Sequence, residues 1–237
     1  MIVSHRYKFV FMKTKKTGGS SVELALSTLL EPGDYATILD PAEEKQRAPQ
    51  FKEIVEKTTS RFSDRDYGLQ NGPGYPHHGM RAINRVLGDE IVNYRTFTVE
   101  RNPWDKIVSG YFYHRKNRAA KTGIDIPPSQ IDFLDLIRAG QMSKFHDFPL
   151  YMHSKEQLVD ELIQYQMMEV GINQILSDIG APNISLGGFS AKAGIRPASK
   201  TDVYDMLFGD PHGDEALDYV DDRFRHEISH FSYERPF

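Results

Sequence analysis

The chain has 237 residues, with 29 Lys+Arg against 33 Asp+Glu, a formal charge of −4 and 39% hydrophobic residues. That length and balance suit a globular α/β protein and exclude disorder, collagen and coiled-coil arrays. No run nears the ~18 apolar residues of a membrane span. Zero cysteines exclude a disulfide framework, a thiolate metal site and a cysteine nucleophile. The mild acidity argues against a protein that coats nucleic acid.

Tyr7 to Met12 reads as a strand of β-branched and aromatic residues. Its apolar part, Phe9 to Met12, is shorter than a signal-peptide core of about 7–15 residues. Lys13 to Gly19 is a basic, glycine-containing turn. Ser20-Ser21-Val22-Glu23 then fits a capping box, with Val22, Ala25, Leu26 and Leu29 at helical spacing behind it. Strand, glycine turn and helix together present backbone N–H groups to an anion. From Glu31 to Pro76 the pattern weakens, with only Phe51 to Lys57 helical. The stretch 40–76 reads as an insertion able to move as a lid. Gly79 to Leu87 is helical, and Thr96 to Val99 is a second strand. Asn102 and Pro103 sit where an N-cap and first helical residue belong, with Trp104, Val108 and Tyr111 on one face of the helix. Arg115 to Pro149 reads as irregular except for a helix over Ile131 to Arg138. Gln157 to Gly180 reads as helical with a break near Tyr165 that admits a strand. Pro182 to Lys200 reads as loop, and Glu215 to His230 as one amphipathic helix. The alternation predicts a single α/β domain over 1–237, a parallel sheet with helices on both faces.

Four places could carry chemistry. Lys15-Lys16-Thr17-Gly18-Gly19-Ser20-Ser21 combines glycines, hydroxyls and lysines as a phosphate or sulfate site would, without Walker spacing. A capped helix with a solvated lysine pair has the same pattern. Arg101, at a strand's C-terminal end beside a helix start, stands where open α/β sheets bind ligands. It could equally pair with Asp105. His77-His78 offers a general base near neutral pH. Adjacent residues on a helix do not share a face, and no metal-ligand spacing occurs, so no metal is expected. Lys192 and Arg196, in the late Gly/Ser loop, could close over an anion or lie in solvent.

Taken together, Lys16-Thr-Gly-Gly-Ser-Ser21 and Arg101-Asn-Pro-Trp-Asp-Lys-Ile-Val-Ser109-Gly-Tyr111 resemble the sulfotransferases that use 3′-phosphoadenosine 5′-phosphosulfate (PAPS), nearest to their carbohydrate-type branch. Fainter likeness covers His77 to Gly88, Asp160 to Gly180 and Ile228 to Tyr233. The resemblance implies a P-loop-like sulfotransferase fold and an enzyme that moves a sulfuryl group onto an acceptor hydroxyl. Lys16 would meet charge on the bridging oxygen. Lys15, Thr17, Gly18, Gly19, Ser20 and Ser21 would complete the 5′-phosphate cradle. Arg101 and Ser109 would bind the 3′-phosphate, with Arg196 near it. Tyr165 would lie near the adenine, and His77, by its distance to Gly88, would be the base. Lys15 stands where the family has Pro, Gln166 where it often has Glu, Met168 where it has Leu, and Ser232 where it has Gly.

The resemblance further implies PAPS as co-substrate, adenosine 3′,5′-bisphosphate (PAP) as product, and no metal. The acceptor would be a small molecule or glycan, with no nucleic-acid partner and no membrane insertion. The chain looks like a soluble bacterial or viral version acting in a cytoplasm. Two alternatives share the loop: a nucleotide-dependent kinase, and a non-catalytic protein that binds a sulfated or phosphorylated ligand.

Overall fold

The computed structural model describes residues 1–63, 75–189 and 200–235. In chain order its strands are β1 (Ile2–Ser4), β2 (Phe9–Met12), β3 (Tyr35–Ala36), β4 (Arg95–Glu100), β5 (Met152–His153), β6 (Glu156–Gln157) and β7 (Glu161–Gln164). The α-helices are α1 (Gly19–Ser27), α2 (Pro41–Glu44), α3 (Lys52–Arg61), α4 (Met80–Leu87), α5 (Pro103–Thr122), α6 (Gln130–Arg138), α7 (Phe148–Tyr151), α8 (Met168–Asp178), α9 (Lys200–Phe208), α10 (Gly213–Arg223) and α11 (Arg225–Phe231). The fold divides into two compact units, Met1–Glu100 with Pro149–Ala191 and Arg101–Phe148 with Lys192–Phe237. No helix among the described residues is long and apolar enough to cross a membrane.

The first unit is built on a five-stranded sheet in the order β3-β1-β2-β4-β7. The sheet is mixed, which corrects the expectation of a parallel one. β1 pairs antiparallel with both β2 and β3, while β2, β4 and β7 run parallel. The reason is local. Four residues connect Ser4 to Phe9, enough for a hairpin turn but not for the dozen or more that a parallel crossover needs. Period-2 alternation places Phe9 and Phe11 of β2 on one face with Phe97 and Val99 of β4. Val22, Ala25 and Leu26 of α1 and Ile172, Ile175 and Leu176 of α8 share their core. Phe51, Ile54 and Val55 join the same core, so the described part of the segment expected as an insertion helps to build the unit.

Several boundaries differ from the sequence pattern. The break near Tyr165 is real, but the strand precedes it as β7, ending at Gln164. Gln157 itself is in the short hairpin β5–β6, not in a helix. The stretch Ser185 to Phe189 carries no helix or strand, as expected of a loop.

The second unit is helical. Trp104, Ile107, Val108 and Tyr111 of α5 pack with Phe133 and Ile137 of α6, Leu207 of α9, and Leu217 and Val220 of α10. The Asn102 side chain accepts from the backbone N–H of Trp104 and Asp105, and Pro103 opens α5, as the sequence indicates. α5 continues to Thr122, where Gly123 in the left-handed region ends it, so the stretch from Arg115, expected to be irregular, is helical as far as Thr122. Its charged second half faces solvent on one side, and that polarity hid the helix. The helix expected over Glu215 to His230 is two, α10 and α11, broken at Phe224, whose ring is fully buried. Inside α5, Gly110 leaves room for Phe145: a Cβ there would lie 2.5 Å from the ring.

Candidate functional site

In the first unit the parallel strands β2, β4 and β7 bring their C-terminal ends, Met12, Glu100 and Gln164, to one end of the sheet. Ligands in open α/β sheets bind at that end. The loop 13–18 follows β2 there, and Tyr165 follows β7. Arg101 is next in the chain after Glu100 and is the first residue of the second unit.

The loop turns into α1 through Gly18, at φ 74° and ψ 9°. The carbonyl of Gly18 accepts from the N–H groups of Ser21 and Val22, so the N-cap of α1 is Gly18, two residues before the Ser20 that a capping box requires. The expected capping box is absent for that reason, and no side chain caps the helix. Lys16 also has positive φ, 62°. For a residue with a Cβ this costs about 1–2 kcal/mol. Strain of this kind is held where the surrounding structure over-determines it. Both residues lie just before the start of α1, and a helix N-terminus is a place where backbone N–H groups can meet an anion.

Beneath the loop lies a buried charge pair that sequence reasoning missed. Lys13 Nζ donates to Glu23 Oε2 at 2.8 Å, and Thr37 Oγ1 donates to Glu23 Oε1 at 2.9 Å. The Met1 amine also contacts Glu23. Burial alone would raise the Glu23 carboxyl; Lys13 and that amine outweigh it and hold it below its ordinary range. Gly19 is needed because a Cβ would come within 2.7 Å of Lys13 Cγ. Nothing in the ten-residue separation of Lys13 and Glu23 marks them as partners. Lys13 is committed to this pair, and Lys15 and Lys16 are the partly exposed lysines of the loop.

Other predicted residues are brought to this loop within the same unit. The backbone of Gly18 abuts Tyr165 and Met168; a Cβ would lie 3.4 Å from Tyr165 Cε2 and 3.2 Å from Met168 Cε. His77 Nδ1 is 3.1 Å from the carbonyl oxygen of Lys13. A carbonyl only accepts, so Nδ1 carries the hydrogen and neutral His77 has its lone pair at Nε2. Thr17 is fully buried, and its hydroxyl donates to Thr14 O at 3.2 Å. Ser20 is buried in the first turn of α1 and Ser21 is partly exposed.

His78, the neighbour, differs from His77 in environment. Its ring is buried against Phe62, with centroids 4.8 Å apart. Burial first, and the Met1 amine second, push its pKa down from 6.5 to about 4. The folded chain therefore binds fewer protons than the unfolded chain between these values. Its stability is complete above pH 6.5 and falls as pH drops toward 4. Chemical denaturation across this window should give a slope that His78→Gln flattens; an unchanged slope in that variant would contradict the assignment.

In the second unit Arg101 bonds Asp105 through Nε, 2.6 Å from Oδ2, and through Nη2, 2.5 Å from the same oxygen. The pairing that the sequence left open is thus present. Ser109, one turn past Asp105 on α5, is partly exposed. Lys106 of the same motif is buried and pairs with Asp147 at 2.9 Å. Lys192 and Arg196 lie outside the described residues. Among the described residues no group of three or more His, Asp or Glu is placed to hold a metal. A groove of about 530 Å³ opens at the other end of the strands, lined by Tyr7, Lys8, Tyr94, Arg95 and Asp160. Its Arg95 and Asp160 are engaged by Glu161 and Thr96.

No family model matches the chain. A protein of Archaeoglobus fulgidus described as an uncharacterized protein is 28% identical over 102 residues, covering 42% of this chain and 78% of the relative. No solved structure matches.

Proposed function

We propose that the chain is a PAPS-dependent sulfotransferase with a P-loop-like sulfotransferase fold, transferring a sulfuryl group to an acceptor hydroxyl, with a carbohydrate as the favoured acceptor class. The observation that carries this reading is the loop 13–18: it joins a parallel strand to α1 through left-handed Lys16 and Gly18. A left-handed lysine in a loop that leads into a helix N-terminus suits a phosphate ester that must leave with its charge held. The glycines fit such a group, since a Cβ on Gly18 would fill the space toward Tyr165. The buried Thr17 side chain leaves its main chain for the ligand.

In this reading Lys16 holds the 5′-phosphate and meets the negative charge that grows on the bridging oxygen as the sulfur–oxygen bond breaks. His77 takes the acceptor hydroxyl proton at Nε2 while that oxygen bonds to sulfur. General-base help of this kind is worth about 10²–10⁴-fold. Tyr165 sits against the adenine, and Arg101 and Ser109, with Arg196, take the 3′-phosphate. The reaction needs no metal, and the enzyme acts in a cytoplasm where PAPS is made.

The experiment is transfer of labelled sulfate from PAPS to a panel of glycans and small alcohols. The reading expects a labelled product that His77→Ala diminishes. Binding of PAP without turnover on any acceptor would instead favour a ligand-binding protein.

A further inference from the structure

We infer that Tyr204 is a positioning residue that sets the preference for a 3′-phosphate by holding Asp105, and through it Arg101; the inference rests on the reading of Arg101 given above. The chain of contacts lies wholly in the second unit. Tyr204, on α9, donates its hydroxyl to Asp105 Oδ1 at 2.9 Å. The other oxygen, Oδ2, takes Nε and Nη2 of Arg101. Each carboxylate oxygen therefore has its own task, one toward the tyrosine and one toward the guanidinium.

Asp105 and Tyr204 stand on helices α5 and α9, and Arg101 immediately precedes the N-cap of α5. Arg101 and Asp105 are four residues apart at the start of α5, and Asn102 accepts from the N–H of Asp105 between them. Tyr204 is 4% exposed, with its ring stacked on Phe208 at 5.8 Å between centroids. A carboxylate held by a single arginine can turn about two side-chain bonds and carry the guanidinium with it. The tyrosine hydroxyl removes that freedom. Because Asp105 offsets the charge of Arg101, recognition at this guanidinium depends on the direction of its N–H groups more than on net charge. Direction is what Tyr204 supplies. No sequence pattern links position 204 to 101, which are brought together only by the packing of α9 against α5's partners.

Tyr204→Phe removes the hydroxyl and keeps the ring on Phe208. Calorimetry would compare PAP with adenosine 5′-monophosphate, which lacks the 3′-phosphate. The expected result is a loss of about tenfold in PAP affinity, as for a hydrogen bond to a charged group, with adenosine 5′-monophosphate changed by less than about twofold. In an Arg101→Ala background, Tyr204→Phe should have no further effect, since interacting residues are non-additive. Unchanged discrimination in Tyr204→Phe, or full additivity in the double variant, would overturn the positioning role alone. Unchanged discrimination in Arg101→Ala would overturn the reading of Arg101 as well. A ligand-free readout separates the two: the Arg101 Nε–H should exchange with solvent about tenfold faster in Tyr204→Phe. An equal exchange rate in the two proteins would overturn the relay whatever the nucleotide results.

Discussion

Lys16→Ala is expected to lower sulfuryl transfer by about 10²–10³-fold, the usual cost of removing one donor aimed at developing charge. The expectation comes from backbone geometry as much as from the side chain. Lys16 has φ 62°, and Gly18 follows at 74°. A left-handed, Cβ-bearing residue at the turn into α1 is strained, and alanine would bear the same strain without the ammonium. Folding stability should therefore change little while transfer collapses. Lys15→Ala is the control. It removes a charge from the same loop at a position with ordinary φ, and a loss of less than about tenfold is expected because exposed charges are screened. Rates measured with labelled PAPS on purified variants decide this. Transfer by Lys16→Ala near the wild-type rate would contradict the assignment, as would equal losses in both variants.

Asp147→Ala is expected to cost about 3–5 kcal/mol of stability, because it leaves Lys106 buried without its partner. The two side chains are 1% and 0% exposed and 2.9 Å apart. Lys106 sits inside the stretch 101–111 that resembles a sulfotransferase motif, yet the structure pairs it with Asp147, joining α5 to the segment before α7. Replacing both members, Lys106→Met with Asp147→Leu, should recover most of the loss, since an apolar pair of similar volume is often neutral or stabilising. Urea unfolding of the single and double variants tests this. A single variant as stable as wild type would contradict a buried, obligatory pair.

What the sequence revealed and what it hid follow from the range over which each signal acts. The turn 13–19, the N-cap Asn102 with Pro103, and helix α4 were legible because each is set by neighbours within one helical turn. Strand direction was not, since the short β1 preceding Tyr7 contains three residues and offers no periodicity to read. The capping box failed because the helix is entered two residues before Ser20, with Gly18 as its N-cap, and the Glu23 carboxylate bonds Lys13 instead. His77 and His78 read alike as a dipeptide. Tertiary burial separates them, one bonded to the Lys13 carbonyl and the other packed against Phe62. The pairs Lys13–Glu23, Lys106–Asp147 and Tyr204–Asp105 were illegible, since ion pairs and hydrogen bonds between positions far apart in the chain leave no local trace.

In the proposed function, residues 13–21 receive the 5′-phosphate of a nucleotide that also bears a 3′-phosphate. Thermal unfolding with PAP, and separately with ATP and Mg²⁺ at the same concentration, distinguishes the two, because a ligand that binds the folded chain more tightly stabilises it more. PAP should raise the midpoint, Lys16→Ala should abolish that rise, and ATP with Mg²⁺ should raise it less. Greater stabilisation by ATP and Mg²⁺ would contradict the proposed function and favour a kinase on the same loop.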